Sequence, residues 1–238
     1  NPVAGLAEAG SDALAVAPGS TTPATTTQGT TNVSNDWDIW VYPPASQITA
    51  VAPAEVTLAS GLDAATQAKL DGGGTVWLML APDHVAPDAS RGPVALGFSS
   101  IFWNTAWTSG QAPHTLGILC DPHAPAFAQF PTESHSNWQW WYIISQASAM
   151  ILDGLPRELH PTVQVIDDWF TNRKLGLVFE AKVGKGKLLV TSIDLRSAVL
   201  DPVRRRLRAS LLAYVSSPQF QPRVGVTPAQ LTPLLRKL

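Results

Sequence analysis

The chain has 238 residues, of which 45% are hydrophobic and 14% are charged, so it can bury a substantial core. Its net charge is −2, and basic residues are scattered apart from Arg204-Arg205-Arg206, which gives no electrostatic basis for binding nucleic acid or an anionic membrane. The single cysteine, Cys120, excludes an internal disulfide, and every apolar run is far shorter than a membrane-spanning helix.

The first 43 residues are predicted to form loop and isolated β-structure. Residues 18–31 are almost entirely Thr, Gly, Pro, Ala, Ser and Gln, so they have little to bury and should form a loop or linker. Residues 37–42 intersperse aromatic side chains at 37, 40 and 42 with other residues before two prolines, which is typical of a strand. With the short run at 13–16 this makes two strands, too few for a domain, so residues 1–43 are interpreted as the remnant of a β-sandwich. The opening Asn1-Pro2-Val3 has no initiator Met and no signal pattern, and we expect the chain to derive from a longer polypeptide.

From about residue 51 the pattern alternates between strands and helices. The predicted elements are a strand at 55–58, a helix at 63–70, strands at 76–80, 115–120 and 162–166, a hairpin of 175–183 with 187–193, and a closing helix from Pro202. Residues 81–113 are predicted to be a long irregular loop. Residues 136–152 are predicted to be the main helix, and because it is apolar nearly all round we expect it to be buried.

This alternation predicts an α/β domain over residues 44–217. The sheet is expected to be mainly parallel and flanked by helices, with an antiparallel hairpin on one side and a short N-terminal β segment from a sandwich before it. Residues 218–238 are predicted to be a Pro-rich tail.

Three long segments carry a family resemblance: Asn35–Pro43, Leu116–Trp141 and Val165–Leu195. The first resembles the strand that ends the sandwich portion in a bacterial subgroup of glycoside hydrolase family 2, the β-galactosidase-like proteins. The other two resemble the C-terminal region of those proteins. The resemblance implies a class I glutamine-amidotransferase-like, flavodoxin-like domain, which is non-catalytic in several β-galactosidases. Family 2 enzymes cleave β-linked sugars with two glutamates on a (β/α)8 barrel. None of the barrel motifs can be placed on this sequence, so no catalytic glutamate is carried over.

The resemblance therefore implies an accessory module of a family 2-like enzyme, structural or carbohydrate-contacting, without a cofactor and not catalytic by itself. Its expected partners are the remainder of a larger glycoside hydrolase chain or further copies of itself, and polysaccharide. No nucleic acid or membrane partner is expected. A periplasmic or secreted location follows from the resemblance alone.

Titratable residues follow several predicted strands. If the sheet is parallel, the carboxyl ends of those strands share one edge, where sites form in open α/β sheets. We expect that edge to bring together these residues: Asp83, His84, Cys120, Asp121, His123, Glu133, His135, Asp167, Asp168 and Asp194. Any functional site is predicted where Asp121, His123, Glu133 and His135 converge.

The alternative function is a small free-standing hydrolase with Cys120 as nucleophile and His123 or His135 as base, oriented by Glu133. Cys120 is followed by Asp121-Pro122, which lacks the small residues of a nucleophile elbow, so a buried, inert Cys120 is favoured. The spacing of the histidines matches no compact metal-ligand pair, and no metal site is predicted.

Sugar binding by aromatic rings is a further hypothesis, since the chain has nine tryptophans. Trp103 and Trp107 are the candidates because they lie in the long loop. The tryptophans of the main helix, Trp138, Trp140 and Trp141, are predicted to belong to the core.

Overall fold

The structure is a computed structural model that describes residues 34–48, 51–98, 114–197 and 200–236. Its strands are β1 (Val56–Ala59), β2 (Thr75–Met79), β3 (Gly117–Cys120), β4 (Met150–Ile151), β5 (Val163–Ile166), β6 (Leu175–Val183) and β7 (Gly186–Thr191). Its α-helices are α1 (Ala64–Asp71), α2 (Trp138–Ile144), α3 (Pro202–Val215) and α4 (Pro228–Leu231). Short 3-10 helices cover Ala45–Gln47, Pro82–His84, Pro125–Phe127 and Thr232–Leu234.

The seven strands form one mixed sheet in the order β1-β2-β7-β6-β5-β3, with β4 paired to the start of β6. The α/β class is confirmed. The prediction of a mainly parallel sheet is wrong, because only β1–β2 and β2–β7 are parallel and the other four pairings are antiparallel. The sequence predicts the antiparallel hairpin of β6 and β7, and the difference lies in the other connections. Only residues 167–174 join β5 to β6, which is shorter than the crossover of about a dozen residues or more that parallel strands need.

Local signals explain the elements that the sequence predicts correctly. The carboxylate of Asp63 accepts a hydrogen bond from the N–H of Thr66 and begins α1, and Asp201 caps α3 in the same way ahead of Pro202. Gly184 has φ of 57°, which the first position of the β6–β7 turn requires and which glycine adopts without strain.

Two hydrophobic layers cover the sheet. On one face, α2, α3 and the 125–127 turn pack over Trp77, Ile118 and Leu177. On the other face, Leu70 of α1 and the C-terminal residues Val226, Leu231 and Leu234 form a second core with alternate side chains of β2, β6 and β7.

The C-terminal segment, predicted to be a tail over residues 218–238, crosses the second face of the sheet from one end of the strands to the other. The N–H of Lys182 donates to the carbonyl of Val224, at the far end of β6. At the opposite end, the N–H of Ala86 donates to the carbonyl of Leu234, and that of Arg236 donates to the carbonyl of His84. Together with α1, the segment thereby completes the layer that helices alone would form in a doubly wound fold.

The predicted strand at 37–42 is not present. These residues form no ladder within the described part of the chain, and Trp37, Ile39 and Val41 are exposed, because a strand needs a neighbour to pair with. Tyr42 alone is anchored there: its ring stacks on Phe130 at 6.4 Å.

The predicted buried helix at 136–152 is wrong in both length and burial. The helix ends at Ile144, and the chain then turns into β4, whose Met150 and Ile151 pair with β6. Trp140 and Ile143 are buried, whereas the opposite side of the helix faces solvent, so an apolar circumference did not mean a buried helix.

Candidate functional site

Cys120 ends β3 with its thiol turned into the protein. The Sγ–H donates to the backbone carbonyl of Glu133 at 3.2 Å. Burial, reinforced by the negative charge of Asp121, raises the pKa of the thiol to about 12. At neutral pH the group is therefore a protonated thiol, which is a poor nucleophile.

The four other predicted site residues form two separate local structures. Asp121 accepts a hydrogen bond from the N–H of His123 at 2.9 Å, which is an ordinary turn, and both side chains are exposed. Glu133 contacts Nε2 of His135 at 3.3 Å and accepts a hydrogen bond from Asn137 at 3.1 Å. Among the described residues no hydrogen bond joins the Asp121–His123 turn to the Glu133–His135 pair.

The sheet separates these residues from the other predicted candidates. β2, β5 and β7 run in one direction, because β5 and β7 are both antiparallel to β6 and β7 is parallel to β2. β3 is antiparallel to β5 and runs the opposite way. Cys120 and Asp121 therefore lie at the edge opposite to the one that holds Asp83, Asp167 and Asp194, and the expectation of one shared edge is wrong.

The edge where β2, β5 and β7 end carries a dense ionic cluster, here named the Arg173 clasp: Arg173, Asp167 and Asp88. Arg173 binds both oxygens of Asp167, Nε at 2.9 Å and Nη2 at 3.1 Å, while its Nη1 donates to Asp88 at 3.0 Å. Burial acts to raise the pKa of Asp167, but the hydrogen bonds from Arg173 outweigh it and hold that pKa below its ordinary value. The clasp ties the loop after β5 to the loop after β2.

A second ionic group holds the chain after β7. Asp194 accepts hydrogen bonds from the backbone of Arg196 and Ser197, and Arg204 of α3 contacts it at 3.4 Å. Burial opposes ionisation of Asp194, yet the hydrogen bond from the hydroxyl of Ser197, the two backbone hydrogen bonds and the Arg204 charge lower its pKa. The contact with Arg204 holds the start of α3, while the N–H of Asp194 donates to the carbonyl of Gln146.

A hollow of about 330 Å³ opens beside the loop that follows β2. Its lining includes Asp83, Val85, Pro93, Ser148 and Arg236. Its polar side chains are those of Asp83, Ser148 and Arg236, and the backbone N–H of Arg236 donates to the carbonyl of His84. This hollow offers room for a small ligand without a convergent set of catalytic groups.

Exposed aromatic rings are the feature that sequence reasoning missed. Trp138, Trp141 and Tyr142 are 71%, 48% and 54% exposed, and they share the outer side of α2. Their spacing of i, i+3 and i+4 is visible in the sequence and indicates one helical face. We call these three residues the aromatic face of α2. Trp103 and Trp107 lie outside the described residues.

The inner side of α2 explains why its outer side is presented rigidly. The side chain of Asn137 caps the helix through the N–H of Gln139 at 3.0 Å. Gln139 then donates to the hydroxyl of Tyr42 at 2.6 Å, and Trp140 Nε1 donates to Thr132 at 2.8 Å. These contacts hold the inner side of α2 against the rest of the domain, so its aromatic face stays toward solvent.

A second exposed pair, Trp169 and Phe170, stands on the loop after β5.

In the described ranges, no group of three His, Cys, Asp or Glu residues could hold a metal ion. Within the described residues, no helix has the length and hydrophobicity that crossing a bilayer requires.

Comparison with known proteins assigns a family and not an activity. A search of curated proteins gave no match. A family model described as a domain of unknown function, DUF8487, matches residues 57–236, about three quarters of the chain, from β1 to the end of the C-terminal segment. The chain belongs to this DUF8487 family.

Proposed function

We propose that the chain is an accessory module of a glycoside hydrolase family 2-like enzyme and that it contacts polysaccharide through the aromatic face of α2. The first part is supported by the three sequence segments that resemble that family. The second part is carried by one observation, the exposure of three neighbouring aromatic rings on one side of an anchored helix.

The dimensions and chemistry of the face suit a sugar chain. Trp138 and Tyr142 are separated by about 6 Å along the helix axis, comparable to the length of one sugar ring. Trp and Tyr rings offer an apolar surface to the C–H face of a pyranose, while the indole N–H and phenol O–H reach its hydroxyls. Residues 138–145 contain no charged side chain, so a neutral glycan is the ligand expected.

Trp141 gains a further partner that fixes its ring. Phe98, from the loop after β2, lies 5.8 Å from Trp141, centroid to centroid, at an angle of 51°. A ring that is packed on one side and open on the other loses little side-chain entropy when a ligand binds.

The alternative, a free-standing hydrolase at the Cys120 edge, finds less support. Its nucleophile would be a buried thiol with a raised pKa, hydrogen-bonded to a carbonyl oxygen rather than to a histidine. The proposal includes an amidotransferase-like, flavodoxin-like ancestry for this domain. The parallel arrangement of β1, β2 and β7 with α1 supports it, although the remaining strands pair antiparallel.

Affinity electrophoresis tests the sugar contact. The chain is run through gels containing a soluble neutral β-glucan, xylan or galactan, with anionic polygalacturonate as a comparison. We expect retardation by at least one neutral polymer and weaker retardation by the anionic one. Trp138→Ala and Tyr142→Ala should each reduce the affinity by roughly 2- to 10-fold.

Trp169→Ala is the matched control, because it removes an exposed aromatic ring from a different surface. Migration unaffected by every neutral polymer, or equal loss in the control, would contradict the sugar contact. The accessory role has a separate test, which is the coding sequence upstream of this chain. A (β/α)8 barrel encoded there in the same reading frame supports the accessory module.

A further inference from the structure

The three parallel strands end where their connections leave the sheet on opposite sides. α1 follows β1 and packs on the second face of the sheet, where Leu70 belongs to the core. α3 follows β7 and packs on the first face, where Leu207 and Leu211 belong to the core. β2 lies between β1 and β7 and is parallel to both. In open α/β sheets, ligands bind in the crevice that such a reversal leaves beyond the carboxyl ends of the strands.

The hollow of about 330 Å³ lies at this position. Pro82 and Val85 of its wall belong to the loop that follows β2. Ser148 also lines it, and its backbone N–H donates at 3.0 Å to the carbonyl of Ser192, the first residue after β7. The volume is at the lower end of the range for ligand pockets in proteins, so the occupant is a small molecule.

Two opposite charges border the hollow without neutralising each other. The side chains of Asp83 and Arg236 both line it, and both residues are exposed. Within the described part of the chain, neither forms a salt bridge with the other or with a third residue. The guanidinium of Arg236 makes one long contact, 3.5 Å from Nη1 to the backbone carbonyl of Asp83. The carboxylate and the guanidinium therefore remain able to bind a ligand.

The remaining wall sets the rest of the ligand's chemistry. It is chiefly apolar and includes Pro82, Val85, Pro87, Pro93, Val94 and Ala149. A molecule that fits this wall has an apolar body. A molecule that fits both charges carries an ammonium group for Asp83 and a carboxylate for Arg236, since a ligand with a single charge would meet a like charge on one of them.

We propose that the hollow binds a free α-amino acid with an apolar side chain. The α-carboxylate accepts hydrogen bonds from Arg236, the α-ammonium group donates to Asp83, and the side chain packs against Val85 and Val94. This site is independent of the aromatic face of α2 and of the proposed sugar contact.

Titration of the full chain with leucine tests the site, followed by calorimetry and by the NMR shifts of backbone amides. Two analogues each remove one charge: leucinamide lacks the carboxylate, and 4-methylpentanoate lacks the ammonium group. We expect leucine to bind with a Kd of about 1 mM or tighter and to shift the amides of Val85, Val94 and Ala149. Each analogue should bind at least about tenfold more weakly than leucine.

Two variants assign the contacts one at a time, and both should fold because the replaced side chains are exposed. Asp83→Asn should weaken leucine binding at least about tenfold without weakening that of 4-methylpentanoate, which has no ammonium group to lose. Arg236→Gln should weaken leucine binding to a similar degree without weakening that of leucinamide. Arg223→Gln is the matched control: Arg223 is an exposed arginine of the same C-terminal segment outside the lining, and this variant should bind like the parent.

Trp138→Ala should also bind leucine like the parent, whatever the outcome of the sugar experiment. Leucine binding weaker than about 1 mM, or equal affinity for leucine and its analogues, would overturn the proposal. So would a variant that loses all three compounds alike, or a loss of affinity in Arg223→Gln.

Discussion

Replacing Arg173 by methionine removes the cation at the centre of the clasp while keeping much of the apolar stem. The side chain of Arg173 is only 13% exposed and that of Asp167 only 2%. The variant therefore leaves a buried carboxylate whose remaining contact within the clasp is the backbone N–H of residue 173, at 2.8 Å.

The expected loss follows from these contacts. Breaking a buried ion pair by removing one partner costs about 3–5 kcal/mol. The surviving backbone hydrogen bond and the partial access of solvent to Arg173 reduce this cost, and we expect the free energy of unfolding to fall by about 2–4 kcal/mol. His135→Ala is the control, because His135 is 64% exposed and its contact with Glu133 should contribute about 0–1 kcal/mol.

Urea unfolding at neutral pH measures both variants, and Asp167→Asn with the double variant completes a mutant cycle. The coupling between Arg173 and Asp167 should exceed about 1 kcal/mol. A loss for Arg173→Met no greater than that for His135→Ala would refute the reasoning, since it would mean that the clasp is energetically an ordinary surface pair.

The dependence of stability on acid pH tests the same prediction in a second way. Hydrogen bonds from Ser90, with a further one from Arg173, lower the pKa of Asp88 to about 2, and the pKa of Asp167 is lowered too. A lowered pKa in the folded state means that the stabilisation is complete above the unfolded pKa of about 3.9 and is lost as the pH falls through the folded pKa. The parent should thus lose stability between about pH 4 and pH 2, and Arg173→Met should lose less across that window.

Two further predictions concern single sites. Gly186→Ala should destabilise the fold by about 1–3 kcal/mol in urea, because its Cβ would lie 2.6 Å from the carbonyl oxygen of Leu70 and 2.9 Å from that of Gly74. Gly61→Ala has no described atom within 4 Å and should be neutral or slightly stabilising; equal effects would rule out the steric explanation. The thiol of Cys120 should react with a disulfide reagent at least about tenfold more slowly in the native chain than in the urea-unfolded one, and equal rates would contradict its raised pKa and burial.

Local signals in the sequence predict most single elements of this fold. Caps such as Asp63, the proline at 202 and the glycine turn at 184 act within a few residues, so their effect can be read without the rest of the chain. Strand direction is a property of the whole sheet. Nothing within 115–120 indicates that β3 runs against β5, and this one orientation moves Cys120 and Asp121 to the other edge.

The exposure of the aromatic residues is likewise not determined by local sequence signals. Trp138 and Trp140 are two positions apart in a helix, one exposed and one buried, and hydrophobicity alone cannot distinguish them. Their spacing could have assigned Trp138, Trp141 and Tyr142 to one face. Which face meets the core is decided by contacts such as that of Gln139 with the hydroxyl of Tyr42, 97 positions away, which forms only in the folded chain.

The position of β2 between β1 and β7 has a consequence for the timing of synthesis. β2 pairs with a strand made much later: Thr75 lies opposite Lys187, about 110 residues further along the chain. At about 5–20 residues per second, a ribosome needs on the order of 5–20 s to make that stretch. For that interval the nascent β2 carries an unpaired edge and apolar side chains on both faces, which is the condition under which strands aggregate or recruit chaperones.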